Sequence, residues 1–164
     1  MNLRVITALV ASVLLALGAC APAAQEEAQS APELTGQGLQ GEYIDLAELR
    51  GSVVIVAAWA SWCTTCRAEM PVFAEAQQTF ADEGLELVGI NMRDRPDPAR
   101  AVLAEEGLDL PSVHDADGTI SVHWGIRGLP TTFLIDRNGR VLDVHHGQVT
   151  WDWIDEVVQP AVVS

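Results

Sequence analysis

Cysteine at two positions three apart, Cys63 and Cys66, is the feature of this sequence best suited to chemistry. The pair lies in Trp62-Cys63-Thr64-Thr65-Cys66, between the apolar run VVIVAAW (53–59) and a segment of helical periodicity. Backbone N–H groups in the first turn of a helix lack partners and the macrodipole there is positive, so a thiolate at that place is stabilised and nucleophilic near neutral pH. Residues i and i+3 share a helix face, which lets Cys66 reach back to Cys63 and close a small disulfide. The chemistry implied is thiol–disulfide exchange: Cys63 attacks a substrate disulfide, a mixed disulfide forms, and Cys66 resolves it.

The surrounding pattern supplies the elements that must hold such a pair. The β-branched run 53–59 predicts a buried central strand. From Ser61 to about Glu83 the alanines, glutamines and spaced apolar residues predict a helix, kinked at Pro71 and ended by Gly84. Residues 85–92 (LELVGINM) predict a second buried strand, Arg93 to Pro98 a polar loop, and Pro98 to Glu106 a helix closed by Gly107. Short strands are expected at 42–46 and 110–114, a turn at 115–118 and a short helix at 119–124. Asn138-Gly139 between residues 131–136 and 140–146 is a hairpin signal. A last helix runs from Thr150, as N-cap, to Gln159, with Pro160 just past its end. Alternating strands and helices followed by an antiparallel hairpin predict an α/β fold with a mixed sheet covered on both faces.

The stretch AAWASWCTTCRAEMP (57–71) resembles the thioredoxin superfamily and, within it, the TlpA/ResA/DsbE branch of exported thiol reductases. A distant second match is Gly128-Leu129-Pro130-Thr131-Thr132-Phe133-Leu134-Ile135-Asp136. Together they cover roughly residues 41–160 and imply a thioredoxin-like fold with a mixed central sheet flanked by helices. By the resemblance, Pro130 is cis and packs against the disulfide, and Leu129 offers backbone hydrogen bonds to an extended substrate. Trp62 is expected to line the substrate surface, and Trp59 to be core. The buried acid of cytosolic thioredoxin would fall at Ala57 and is absent. The exported branch instead implies Glu69, one helical turn past Cys66, as a proton relay; the competing reading is a solvated helix carboxylate. Thr64-Thr65 replaces the proline-containing dipeptide of many relatives, at positions that by the resemblance tune the relative stability of thiolate and disulfide. Segment 93–124 resembles the strand–helix insertion of the TlpA-like branch, and Arg127 reads as an exposed loop charge near the cleft.

Cys20 has a different setting. One positive side chain, Arg4, precedes the uncharged run Val5–Leu17, which is short of the roughly 20 residues needed to span a bilayer. This suits the hydrophobic region of a signal peptide. Leu17-Gly18-Ala19-Cys20 resembles the lipobox of bacterial lipoproteins, which implies cleavage before Cys20 and a lipid on its sulfur. The organisation expected is a signal peptide (1–19), a lipidated Cys20 with a flexible tether to residue 40, and a thioredoxin-like domain (41–164). A tether of that length reaches about 25 Å. The implied location is the outer face of a bacterial membrane.

The formal net charge is -14 and every basic residue is arginine, a balance that repels nucleic acid and anionic lipid head groups. Expected partners are protein disulfides, a membrane thiol relay as electron donor, and the membrane through the anchor, with the protein a monomer. No cofactor and no metal are expected. A zinc or copper site completed by His114, His123, His145 or His146 lacks a second ligand pair at fitting spacing. A thiol peroxidase would place a threonine where Ala60 precedes Cys63. Reduction and oxidation of substrates share this chemistry, and the sequence leaves the direction open.

Overall fold

The computed structural model describes residues 29–164. The expected signal peptide, the expected lipidation site Cys20 and the first part of the expected tether lie outside that range. The central sheet has five strands: β3 (Val53–Trp59), β4 (Leu85–Met92), β5 (Ser112–Asp115), β6 (Thr131–Ile135) and β7 (Val141–His146). Their order is β5-β4-β3-β6-β7. Strand β3 is the centre: it runs parallel to β4 and antiparallel to β6, and all seven of its residues are buried. A strand covered on both faces reads as a continuous apolar run, and this is why 53–59 was legible.

Helices α1 (Thr64–Thr79) and α2 (Pro96–Glu106) connect β3 to β4 and β4 to β5. Met70 and Phe73 of α1, Ala99 and Leu103 of α2, and Trp153, Ile154 and Val158 of the C-terminal helix share one apolar cluster with Ile55, Ala57 and Trp59. The opposite face of β3, through Val54, Val56 and Ala58, packs with Trp124, Ile126 and Phe133. Helix α3 (Thr119–His123) leads into Trp124, whose ring meets Phe133 edge-on at 5.0 Å. The sheet is therefore mixed and flanked by helices, and the architecture is thioredoxin-like.

Three expectations are corrected. First, the folded domain does not begin at Gly41. Strand β1 (Thr35–Gln37) pairs with β2 (Tyr43–Asp45), and Leu34 and Leu39 are buried. Ser30 bridges to Arg140, so residues 30–40 belong to the domain and not to a tether. Two isolated leucines anchor this polar, glycine-containing stretch, too few to create a period. Second, α1 starts at Thr64 rather than Ser61, because Cys63 itself is the N-cap. Third, the C-terminal helix continues through Pro160: α4 (Trp151–Trp153), a π turn (Ile154–Val158) and α5 (Gln159–Val162) follow without a break. The widened π turn ends one residue short of Pro160, which has no N–H to donate, and this is where the helix absorbs it. Thr150 occupies the N-cap position but makes no side-chain capping bond.

Candidate active site

Cys63 sits at the junction of β3 and α1. The Cys63 amide donates to Ala60 O at 3.0 Å, and Arg67 N donates to Cys63 O at 3.2 Å, closing the first helical turn. Cys63 Sγ accepts from Cys66 N at 3.2 Å, so the N-cap acceptor of this helix is sulfur. A Cα–Cα separation of 5.3 Å accompanies a formed Cys63–Cys66 disulfide. Cys63 keeps 7% of its surface exposed and Cys66 1%. Cys63 is thus the more accessible sulfur of the two. Thr64 and Thr65 point into solvent.

Glu69 is buried on the same face of α1 as Cys66, Met70 and Phe73. This excludes the solvated-carboxylate reading. Its Oε2 accepts from Val149 N at 2.8 Å. Burial raises its pKa from 4.5 to about 7, and the Val149 hydrogen bond moderates the rise. This carboxyl lies one helical turn past Cys66 on α1. Ala57, by contrast, brings no acid to β3; its partner across β6 is Thr132, whose buried Oγ1 has no hydrogen-bond partner.

The Leu129–Pro130 peptide bond is cis. Thr131 Oγ1 donates to Gly128 O at 2.9 Å, and Gly147 N donates to Pro130 O at 3.1 Å. Leu129, half-buried, packs against the cluster that contains both cysteines. Trp62 is 61% exposed, while Trp59 is buried with its Nε1 donating to Ser112 Oγ at 3.0 Å.

Sequence reasoning missed two parts of this site. The loop following β7 is one. Its residues Gly147 and Val149 bind Pro130 O and Glu69, and Gln148 O meets His145 Nε2 at 3.1 Å. The other is Asp94, which binds the turn just ahead of Cys63. Both act through pairings far apart in sequence, invisible to local patterns. One general signal was available for Asp94: in open α/β sheets the carboxyl ends of parallel strands gather functional residues. Arg127 is exposed, and His145 is the inward member of the His145–His146 pair, half-buried against Trp153 at 5.5 Å. Among the described residues, no three of His, Cys, Asp and Glu gather as a metal-holding group.

Comparison with known proteins agrees with this geometry. The AhpC/TSA family model matches residues 28–144. The thiol:disulfide interchange protein HelX of Rhodobacter capsulatus is 35% identical over 77% of this chain and 70% of its own length. Thiol-disulfide oxidoreductase ResA of Bacillus subtilis is 30% identical over 84% of this chain and 79% of its own. A solved thiol:disulfide interchange protein of the thioredoxin family from Chlorobium tepidum superposes with a TM-score of 0.75 at 29% identity, covering 85% of this chain and 99% of that one.

Proposed function

We propose that this chain, a thiol–disulfide oxidoreductase belonging to the AhpC/TSA family, works as an exported, lipid-anchored reductase of protein disulfides. The observation that carries the reading is the pairing of a slightly exposed Cys63 with a buried Cys66, with the buried carboxylate of Glu69, its pKa raised to about 7, one helical turn further along α1.

In the reduced protein the Cys63 thiolate attacks a substrate disulfide. A Cys63–substrate disulfide forms and one substrate thiolate leaves, taking a proton from water. Cys66 then gives its proton to the Glu69 carboxylate, and its thiolate attacks the Cys63 sulfur. The internal disulfide closes and the second substrate thiolate departs. Two electrons pass from the dithiol to the substrate, which is the ping-pong pattern of covalent catalysis. A membrane thiol relay returns the pair to the dithiol state.

Export and anchoring rest on the signal-peptide pattern and on Cys20. Substrates are then protein disulfides outside the cytoplasm, the cysteine pair of an apocytochrome c among them, as the resemblance to the exported branch implies. Leu129 and Pro130 with Trp62 form the surface on which an extended substrate segment lies, and the protein acts as a monomer.

The deciding experiment is the reduction potential of the Cys63–Cys66 pair, by equilibration with a defined thiol buffer. A value near about −270 mV, like that of thioredoxin, supports the reductase. A value near about −120 mV makes the protein a disulfide donor and removes the reductase reading.

A further inference from the structure

Asp94, in the loop after β4, takes no part in the exchange steps above, yet its carboxylate accepts four hydrogen bonds, two of them from the turn that presents Cys63. Its Oδ2 accepts from Ser61 N at 2.5 Å and from Asn91 Nδ2 at 3.1 Å. Its Oδ1 accepts from Ser61 Oγ and from Arg95 N, each at 2.8 Å. The same loop holds the next residue of the turn, since Trp62 Nε1 donates to Arg93 O at 3.4 Å. Asp94 O meets His114 Nε2 at 2.9 Å, fastening the loop to β5.

Two costs accompany this arrangement. Arg93 adopts φ 47°, a left-handed conformation uncommon for a side chain other than glycine and maintained only by its surroundings. Asn91 is fully buried and commits its amide N–H to Asp94 while its Oδ1 has no partner. A loop that holds such features against their cost is over-determined by its contacts, and those contacts converge on Ser61 and Trp62.

Charge is the second aspect. Burial raises the Asp94 pKa, but the hydrogen bonds from Ser61, Asn91 and Arg95 outweigh it and hold the group below the ordinary 3.8. It is an anion wherever thiols exchange. The flanking Arg93 and Arg95 are exposed, and the Arg93 guanidinium lies over Gly118. None of the ion pairs among the described residues includes Asp94. Ser61 is two residues from Cys63, and two peptide units span at most about 7 Å, so this charge stays on the order of 10 Å from the sulfur. A like charge at that range disfavours a thiolate. A less stable thiolate means a less stable dithiol relative to the disulfide, the converse of a strong oxidant, whose reduced form is stabilised.

We infer that Asp94 is a positioning residue of the exchange site: it clamps the Ser61–Trp62 turn that presents Cys63, and its fixed negative charge makes the Cys63–Cys66 couple more reducing. The inference deepens the reductase reading and rests on it.

Equilibration of the wild type, D94N and S61A with glutathione buffers at pH 7 tests both parts. D94N removes the charge, and S61A removes one hydrogen bond while leaving the charge. D94N is expected to shift the equilibrium toward the reduced protein by about threefold or more. S61A is expected to leave the equilibrium within about 1.5-fold of wild type while slowing reduction of a peptide disulfide several-fold, because the turn loosens without losing the anion. D94S, which offers no amide N–H against Ser61 and Asn91, carries the same expectation as D94N should D94N not fold. A folded D94N or D94S at the wild-type equilibrium overturns the charge effect, and a wild-type rate in S61A overturns the clamp. The wild-type potential alone decides reductase against oxidase, whereas the difference between variants decides Asp94, so the two failures are separable.

Discussion

Glu69 shows what a single buried residue imposes on the whole protein. Its pKa is 4.5 when unfolded and about 7 when folded, so between those pH values the unfolded chain ionises while the folded chain keeps its proton. Stability linked to this group is complete below about pH 4.5 and is lost as pH rises to about 7. The total is about 3 kcal/mol, and the curve is flat above. E69Q should lack this slope and exceed the parent in stability at pH 8 in urea titrations. The same variant should slow turnover around neutral pH; an unchanged pH–rate profile would remove Glu69 from the mechanism. For the cysteines, C63S should abolish disulfide exchange and C66S should accumulate a mixed disulfide on non-reducing gels, whereas full activity in C63S would invert their roles. Cys63, Cys66 and the cis Pro130 were legible because each lies in a contiguous motif. The spacing of Glu69 was legible too, but its burial was not, since helix periodicity places a carboxylate on a face without saying that β7's following loop closes over it.

Among elements, the strands announced themselves in proportion to their burial. Strand β3 is apolar from end to end and was read to the residue, while β1 contains Thr35-Gly36-Gln37 and left no pattern. Contacts between strands carry information that no single strand holds, as Gly89 in β4 illustrates. It pairs with Ser112 of β5, and a Cβ there would come within 2.1 Å of Ser112 Oγ and 2.8 Å of Trp59 Nε1. The missing side chain makes room for the Trp59–Ser112 hydrogen bond, which Ser112 Oγ extends to Leu110 O at 2.8 Å. G89A should therefore cost about 1–3 kcal/mol through overpacking, read as a lower urea midpoint followed by tryptophan fluorescence. A variant as stable as the parent would mean that Trp59 is free to move aside. Such a displacement would reach the site directly, because Trp59 is the last residue of the strand that delivers Cys63.

At the scale of the molecule, the earlier start of the domain changes what the N-terminal segment does. A chain beginning at Gln29 should match the longer one in stability. Beginning at Gly41 removes the buried Leu34 and Leu39, a loss of about 3–6 kcal/mol against a total of about 5–15 kcal/mol. Urea denaturation of the two shortened chains distinguishes a packed segment from a passive spacer, and equal midpoints would return residues 29–40 to the tether. The pairing of Ser30 with Arg140 has a directional consequence. Arg140 lies at the hairpin end of β6 and β7, whereas Pro130 and Cys63 lie at the other end, where Thr131 faces Ala58. The polypeptide thus enters at one pole of the molecule and does its chemistry at the opposite pole, some 15–20 Å away along the strands. Under the proposed attachment at Cys20, the chain between it and the domain spans at most about 30 Å, and the reactive sulfur would look outward, toward clients arriving from the aqueous side. If the proposed donor sits in the same bilayer, recharging would require the body to capsize on its leash, so that delivery and refuelling would be opposite attitudes of one tumbling particle.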